Sequence, residues 1–218
     1  RFYKDWYRPD LMAIIAIGDF DTAEIEKKIK HHFASLSSPN SPRERKETAI
    51  PDNKETLVTI ATDKEATSTI VNLYIKNEDK PETTLKDYYE SLLNSFYTGM
   101  LNQRLQEIAQ QPEAPYIGAG TNYGSYLGLS KYKSAFSAGA LVKESDILKG
   151  LESVLVETER VKKYGFTTSE LERFKKDYLS SYERAYNERD KTKSGTYAAE
   201  YIRNFLEDEP IPGIEFEY

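Results

Sequence analysis

Thr67-Ser68-Thr69-Ile70-Val71-Asn72-Leu73-Tyr74-Ile75-Lys76 decides the fold class of this chain. Val71, Leu73 and Ile75 alternate with Asn72, Tyr74 and Lys76, which predicts a strand with one buried and one wetter face. Antiparallel sheets carry that pattern, whereas parallel strands are apolar on both faces. A second β-rich run at residues 56–61 precedes it, across the polar Asp63-Lys64-Glu65. Downstream, Thr84 with Asp87 three residues on opens a long helix whose Leu92, Phe96, Met100, Leu101, Leu105 and Ile108 form an apolar stripe. That helix is expected to lie across the sheet, with Gly99 marking close packing or a kink, and Pro112 and Pro115 end it. Residues 116–123 and 133–141 are the remaining strand candidates. They are rich in Gly, Ala and Ser, which close approach of another backbone would explain. Three helices follow, at residues 145–164 with Gly165 at the end, after the capping box Thr167-Thr168-Ser169-Glu170, and at residues 194–206. The reading is α+β: a two-layer arrangement, an antiparallel sheet with helices packed on one side.

Upstream lies the longest apolar run, Leu11-Met12-Ala13-Ile14-Ile15-Ala16-Ile17, ended by Gly18-Asp19. It predicts a strand buried on both faces. Asp21 with Glu24 then caps a helix through Ile25, Ile29, Phe33 and Leu36, and Ser37-Ser38-Pro39-Asn40-Ser41-Pro42 begins a linker. The expected organisation is a strand and helix at 1–37 that close a preceding domain, a linker at 38–54 and a second domain at 55–218.

Composition narrows the function. Of the 218 residues 39% are hydrophobic and 30% charged, as in globular proteins. No run approaches the roughly 18 apolar residues of a membrane span. A net charge of −6, without a clustered basic face, argues against nucleic acid as a partner. The lack of cysteine excludes disulfides, thiolate metal sites and a cysteine nucleophile, and fits either cytosol or periplasm.

No motif supplies a complete catalytic apparatus. The Gly18-Asp19 turn lacks the further glycines of a dinucleotide fingerprint, and Asp19 and Asp21 would repel phosphate. His31 and His32 are the only histidines, and adjacent helical positions diverge by about 100°, so they do not converge on one metal. Gly124-Ser125 is not part of a G-x-S-x-G elbow. Carboxylate pairs such as Glu157/Glu159 and Glu170/Glu172 read as solvated helix faces, and the 17 tyrosines as rim residues of the core.

Several stretches, in order, resemble a known family. Phe2-Tyr3-Lys4-Asp5-Trp6-Tyr7-Arg8-Pro9-Asp10-Leu11-Met12 with the Ile-rich run and Gly18-Asp19 is similar to the segment that closes the zinc-bearing domain of pitrilysin/insulinase-type, mitochondrial processing peptidase-like zinc metallopeptidases. Met100-Leu101-Asn102-Gln103-Arg104-Leu105 and Gly165-Phe166-Thr167-Thr168-Ser169-Glu170-Leu171-Glu172-Arg173 continue the match. The resemblance implies a processing-peptidase-like metallohydrolase fold and the inactive domain that follows a catalytic one. Family enzymes hold zinc with an inverted H-x-x-E-H motif, whose glutamate is the general base. This chain has no such motif, so it is expected neither to bind the catalytic zinc nor to cleave peptides by itself. Zinc is expected in the full-length parent.

The resemblance also implies the site. In the partner half of the family's clamshell an Arg and a Tyr near this helix–strand junction hold substrate. Here Tyr116 matches the Tyr, while Ala109 stands where the Arg would be. The expected role is therefore backbone docking of an extended peptide at Tyr116, Ile117, Gly118, Ala119 and Gly120, whose small residues let a second chain approach. Expected partners are a peptide substrate, the zinc-bearing domain and the second half of the clamshell, with no nucleic acid and no membrane span. A bacterial source is expected, with a periplasmic or cell-envelope setting over a cytoplasmic one. The alternative is a structural or interaction subunit of the same family with no proteolytic role.

Overall fold

The computed structural model describes residues 1–46, 49–128 and 132–218, so part of the expected linker, residues 47 and 48, lies outside the described residues. The chain divides into two compact units, Arg1–Thr48 with Tyr182–Tyr218, and Ala49–Ser181.

In the first unit, helix α1 (Phe2–Trp6) and a short turn at Pro9–Leu11 precede α2 (Thr22–Phe33). The Asp21 carboxylate accepts the Glu24 N–H at 2.8 Å and starts α2, as the capping pattern predicts. Residues 11–17 do not form the expected doubly buried strand. They lie in no ladder, and Met12 and Ile14 are about half exposed. An apolar run becomes a strand only where a second backbone pairs with it, and no described segment does so.

The second unit contains the sheet. Strand β1 (Thr69–Glu78) is followed by α3 (Leu85–Ala109), β2 (Gly118–Ser125), β3 (Lys133–Val142), α4 (Ile147–Tyr164) and α5 (Thr168–Asn187), the last running on into the first unit. The strand order is β1-β3-β2, with both pairings antiparallel. The expected α+β layering is therefore present. The run at 56–61 is again unpaired, with Leu57, Val58 and Ile60 at 75%, 79% and 84% exposure. Asp63 does cap a turn there, its carboxylate accepting the Glu65 N–H at 2.8 Å, but the segment before it does not join β1.

Alternation sets the core. Ala138, Ala140 and Val142 of β3 turn toward the helices and meet Leu101 and Leu105 of α3, Val154 and Val161 of α4, and Tyr116. The small residues of β3 have the reason the sequence left open: a Cβ at Gly139 would collide with the Asn72 side chain and lie 3.0 Å from the Val71 carbonyl oxygen. Gly99 marks close packing rather than a kink, since a Cβ there would run into the Phe174 ring. Phe96 stacks edge-on against Phe174 with centroids 4.9 Å apart, so α5 packs on α3 at this level. The first unit is completed by α6 (Ser194–Glu207) and α7 (Ile214–Glu217).

Gly150 on α4 is buried, and a Cβ there would run into Val142 Cγ1 and come within 3.3 Å of the Pro115 carbonyl oxygen. Gly150→Ala therefore loses stability by about 1–3 kcal/mol despite the better helix propensity of Ala, because overpacking outweighs a gain of about 1 kcal/mol. Chemical denaturation of the two chains checks the sign.

Candidate functional site

The free side of β2 is where the sequence places a binding edge, and the hydrogen-bond parity shows which atoms face it. The Tyr126 N–H donates to the Lys133 carbonyl at 2.8 Å, continuing a register that pairs Ser125 with Ser134. Ladder bonds thus fall on the even-numbered residues of β2, and Ala119, Thr121 and Tyr123 turn their N–H and C=O groups away from β3. At the start of the strand the Ile117 N–H donates to the Leu141 carbonyl at 2.8 Å, although Gly118 is the residue opposite Leu141. The ladder is bulged there.

The five expected residues share this edge in unlike ways. Tyr116 is a core residue, 4% exposed, and its hydroxyl donates to the Leu105 carbonyl at 3.0 Å. Burial pushes its phenol up to about 12, so its side chain is closed to a ligand. Ile117 is well exposed. Gly118 and Gly120 spend their backbone groups on β3, and a Cβ on Gly118 would meet open space. Ala119 alone among the five presents an outward N–H and C=O pair.

Asn102 is the residue that sequence reasoning missed. Reaching from α3, its Oδ1 accepts the Thr121 N–H at 2.6 Å and the Thr121 hydroxyl at 3.0 Å, while its Nδ2 donates to the Thr121 carbonyl at 3.0 Å. The only sequence signal was a polar side chain one residue from the buried Leu101.

Two residues further along α3, an ion pair fixes the helix. Arg104 Nε and Nη2 donate to the two carboxylate oxygens of Glu170 at 2.5 and 2.9 Å, and Nη2 also reaches the Gly165 carbonyl at 3.3 Å. Gly165 takes φ 71°, the left-handed region that favours glycine, and ends α4. Glu170 is also the capping-box acceptor of the Thr167 N–H, at 2.7 Å. The Arg104 guanidinium, helped by Thr167, holds the Glu170 carboxyl down at about 2. One carboxylate thus starts α5 and ties it to α3.

His31 and His32 lie edge to face on α2 with rings 5.3 Å apart, and among the described residues no group of three or more His, Cys, Asp or Glu side chains is placed to hold a metal ion. The residues present do not fit a catalytic zinc.

Residues 1–178 match the family model described as the Peptidase M16 inactive domain. The chain belongs to this family. It is 30% identical over 218 residues to an Arabidopsis thaliana protein named "Zinc protease PQQL-like", covering 100% of the chain and 20% of that protein. It is 31% identical over 175 residues to the "Probable zinc protease PqqL" of Haemophilus influenzae, covering 78% of the chain and 18% of that protein. The chain therefore spans about a fifth of the length of the curated relatives it matches. In fold it is similar to the periplasmic protease PqqL from Escherichia coli, with a TM-score of 0.79 at 21% identity, covering 100% of the chain and 24% of that one. The ferredoxin protease FusC, solved with Arabidopsis ferredoxin, is more distant, with a TM-score of 0.59 at 21% identity over 98% of the chain and 23% of its own.

The Glu170 carboxyl is held below its ordinary value of 4.5, so the stability it supplies is full above about pH 4.5 and is lost as the pH falls towards about 2. Glu170→Gln is expected to flatten the acid limb of the stability curve across that window, read as denaturation midpoint against pH. Tyr116→Phe removes the hydroxyl's bond to the Leu105 carbonyl and its hydrogen bond with Ser153, and costs about 1–2 kcal/mol in the same measurement.

Proposed function

We propose that this chain is the non-catalytic, peptide-binding part of the substrate chamber of a zinc metalloendopeptidase that degrades or processes peptides. Zinc and the H-x-x-E-H machinery belong, in this reading, to another part of the parent protein. Residues 1–37 close the zinc-bearing domain, 38–54 link, and 55–218 carry the inactive domain. The partners are the peptide substrate, that zinc-bearing domain and the second half of the clamshell. Two relatives that carry the name zinc protease support the parent's chemistry, and the periplasmic description of the Escherichia coli protease supports a periplasmic setting.

The observation that carries the docking role is the free side of β2, at the end of the strand order. An extended peptide adds to such an edge by main-chain hydrogen bonds, so it needs no particular side chain from the protein. Ala119 supplies the outward pair, while Tyr116 serves by anchoring the start of the strand in the core. The second reading, a structural subunit without proteolytic role, is favoured by the Asn102 contact that already closes the edge at Thr121. An H-x-x-E-H motif encoded upstream of Arg1, with zinc in the purified parent, decides for the enzyme.

Titrating an extended peptide into the labelled chain is expected to shift the amide resonances of residues 116–123, that of Ala119 most. Ala119→Pro removes the outward N–H without breaking a ladder bond, a change that edge strands tolerate, and should weaken binding about fivefold. Shifts confined to other regions overturn the docking role.

A further inference from the structure

The other edge of the sheet is β1, and one bond fixes its parity. The Asp79 N–H donates to the Tyr132 carbonyl at 2.9 Å, continuing the register that pairs Glu78 with Lys133. Ladder bonds therefore fall on the odd-numbered residues of β1, and Ile70, Asn72, Tyr74 and Lys76 turn their N–H and C=O groups outward. Among the described residues no strand pairs with that side. Just upstream, the Ala66 N–H donates to the Asp63 carbonyl at 3.2 Å and closes a tight turn. An antiparallel register carried on from that turn sets Thr59 opposite Ile70 and Leu57 opposite Asn72 as hydrogen-bonded pairs. Those are the β1 residues whose groups point outward, so turn and edge agree in parity although each is read from a different bond. The far end is tethered as well: Lys76 Nζ donates to the Pro51 carbonyl, and Lys133 Nζ to Asp52 Oδ1 at 2.9 Å. The stretch between Asp52 and Asp63 is thus held at both ends of the β1 edge. In the same register Val58 falls opposite Val71 and Ile60 opposite Thr69, and Val71 packs against the core on the helical side. That side has room for a further strand. While α3 packs on β2, α4 packs on β3 and β1, and its Glu157 faces Arg104 of α3. Leu151 and Leu155 lie about 120–160° round α4 from Glu157, on the flank away from α3. With Leu148, Glu152, Val156 and Glu159 they line an open, mainly apolar groove of about 440 Å³.

We propose that residues 56–61 are a strap that closes on β1 as a fourth strand, with Val58 and Ile60 on the side of the α4 groove. Open, as in this structure, the strap leaves Leu57, Val58 and Ile60 exposed and the outward groups of β1 available to another extended chain. Closed, it takes those groups for itself. The inference concerns the edge opposite β2 and stands without peptide docking there.

The test uses the full 218-residue chain, which has no cysteine, so an introduced pair reports alone. Val58→Cys with Val71→Cys makes a non-hydrogen-bonded cross-strand pair in the closed register and is expected to oxidise to an intramolecular disulfide. Val58→Cys with Ile70→Cys, or with Asn72→Cys, sets the two thiols on opposite faces, and both are expected to stay reduced under the same oxidant. Equal yields in the three variants, or none at 58 and 71, overturn the strap. Amide exchange answers the question where a cysteine variant fails to fold. The Ile70 and Asn72 N–H groups are expected to be protected, and to exchange about tenfold faster in Thr59→Pro, which takes the Thr59 N–H out of the closed ladder. Thr59 is exposed in the open state, so this substitution leaves the open fold intact. Fast exchange at Ile70 and Asn72 in the unaltered chain overturns the strap. Protection that persists in Thr59→Pro overturns it too, since another segment then holds the edge.

Discussion

Leu101 and Leu105, both fully buried, hold α3 against the helical side of β3, and the position of the other elements follows from that contact. The central strand contributes little apolar area of its own, since Ala138, Gly139 and Ala140 form its middle. Two fully buried leucines, at about 1.5–3 kcal/mol each, supply what those residues lack. Small strand residues and large helix residues are one solution to a single packing problem. Gly139, on the other face of β3, has to be small because β1 lies close beside it, while on the helical face Ala138 and Ala140 are short and the leucines of α3 reach down to fill the layer.

Once α3 is seated, the remaining polar contacts act as locators. Arg104 spans to Glu170 and so fixes the start of α5, while Tyr116 donates to the Leu105 carbonyl and fixes the start of β2. Glu170 serves two structures at once, as cap and as ion-pair partner, which is why its carboxyl is held so far down. Both side chains of that pair are largely shielded, so it is not the freely solvated surface pair whose worth is close to nothing. The reading of Glu157/Glu159 and Glu170/Glu172 as solvated faces was wrong for Glu157, which is buried beside Arg104 and Arg160, and for Glu170, because spacing along one helix says nothing about a cation arriving from another.

Local signals were legible wherever one element sufficed to define them. The capping boxes at Thr84/Asp87 and Thr167/Glu170, the N-cap Asp21 and the terminal Gly165 lie where spacing predicts, because caps are settled within four residues. The β1 alternation was readable for the same reason. Residues 11–17 and 56–61 misled, because high β propensity measures fitness for a half-buried pleated surface and does not name the strand that will pair. The candidate site was half legible. The edge proposed at Tyr116, Ile117, Gly118, Ala119 and Gly120 came from the family resemblance and the small residues, and Asn102 could not be paired with Thr121 without knowing how α3 crosses β2.

That asymmetry bears on how an edge strand is managed. An exposed row of N–H and C=O groups invites pairing with any extended chain, and proteins close such edges with charges, bulges or covering elements. Here β2 has a bulge at Ile117 and a carboxamide at Thr121, so two different devices bracket the single outward pair of Ala119. A wholly structural edge would gain from closing all of it. An edge wholly open would associate with copies of itself. The Ala119 pair between these two stops limits growth at the start of β2, and in the docking reading proposed above it is where an extended chain would make a short, register-fixed contact.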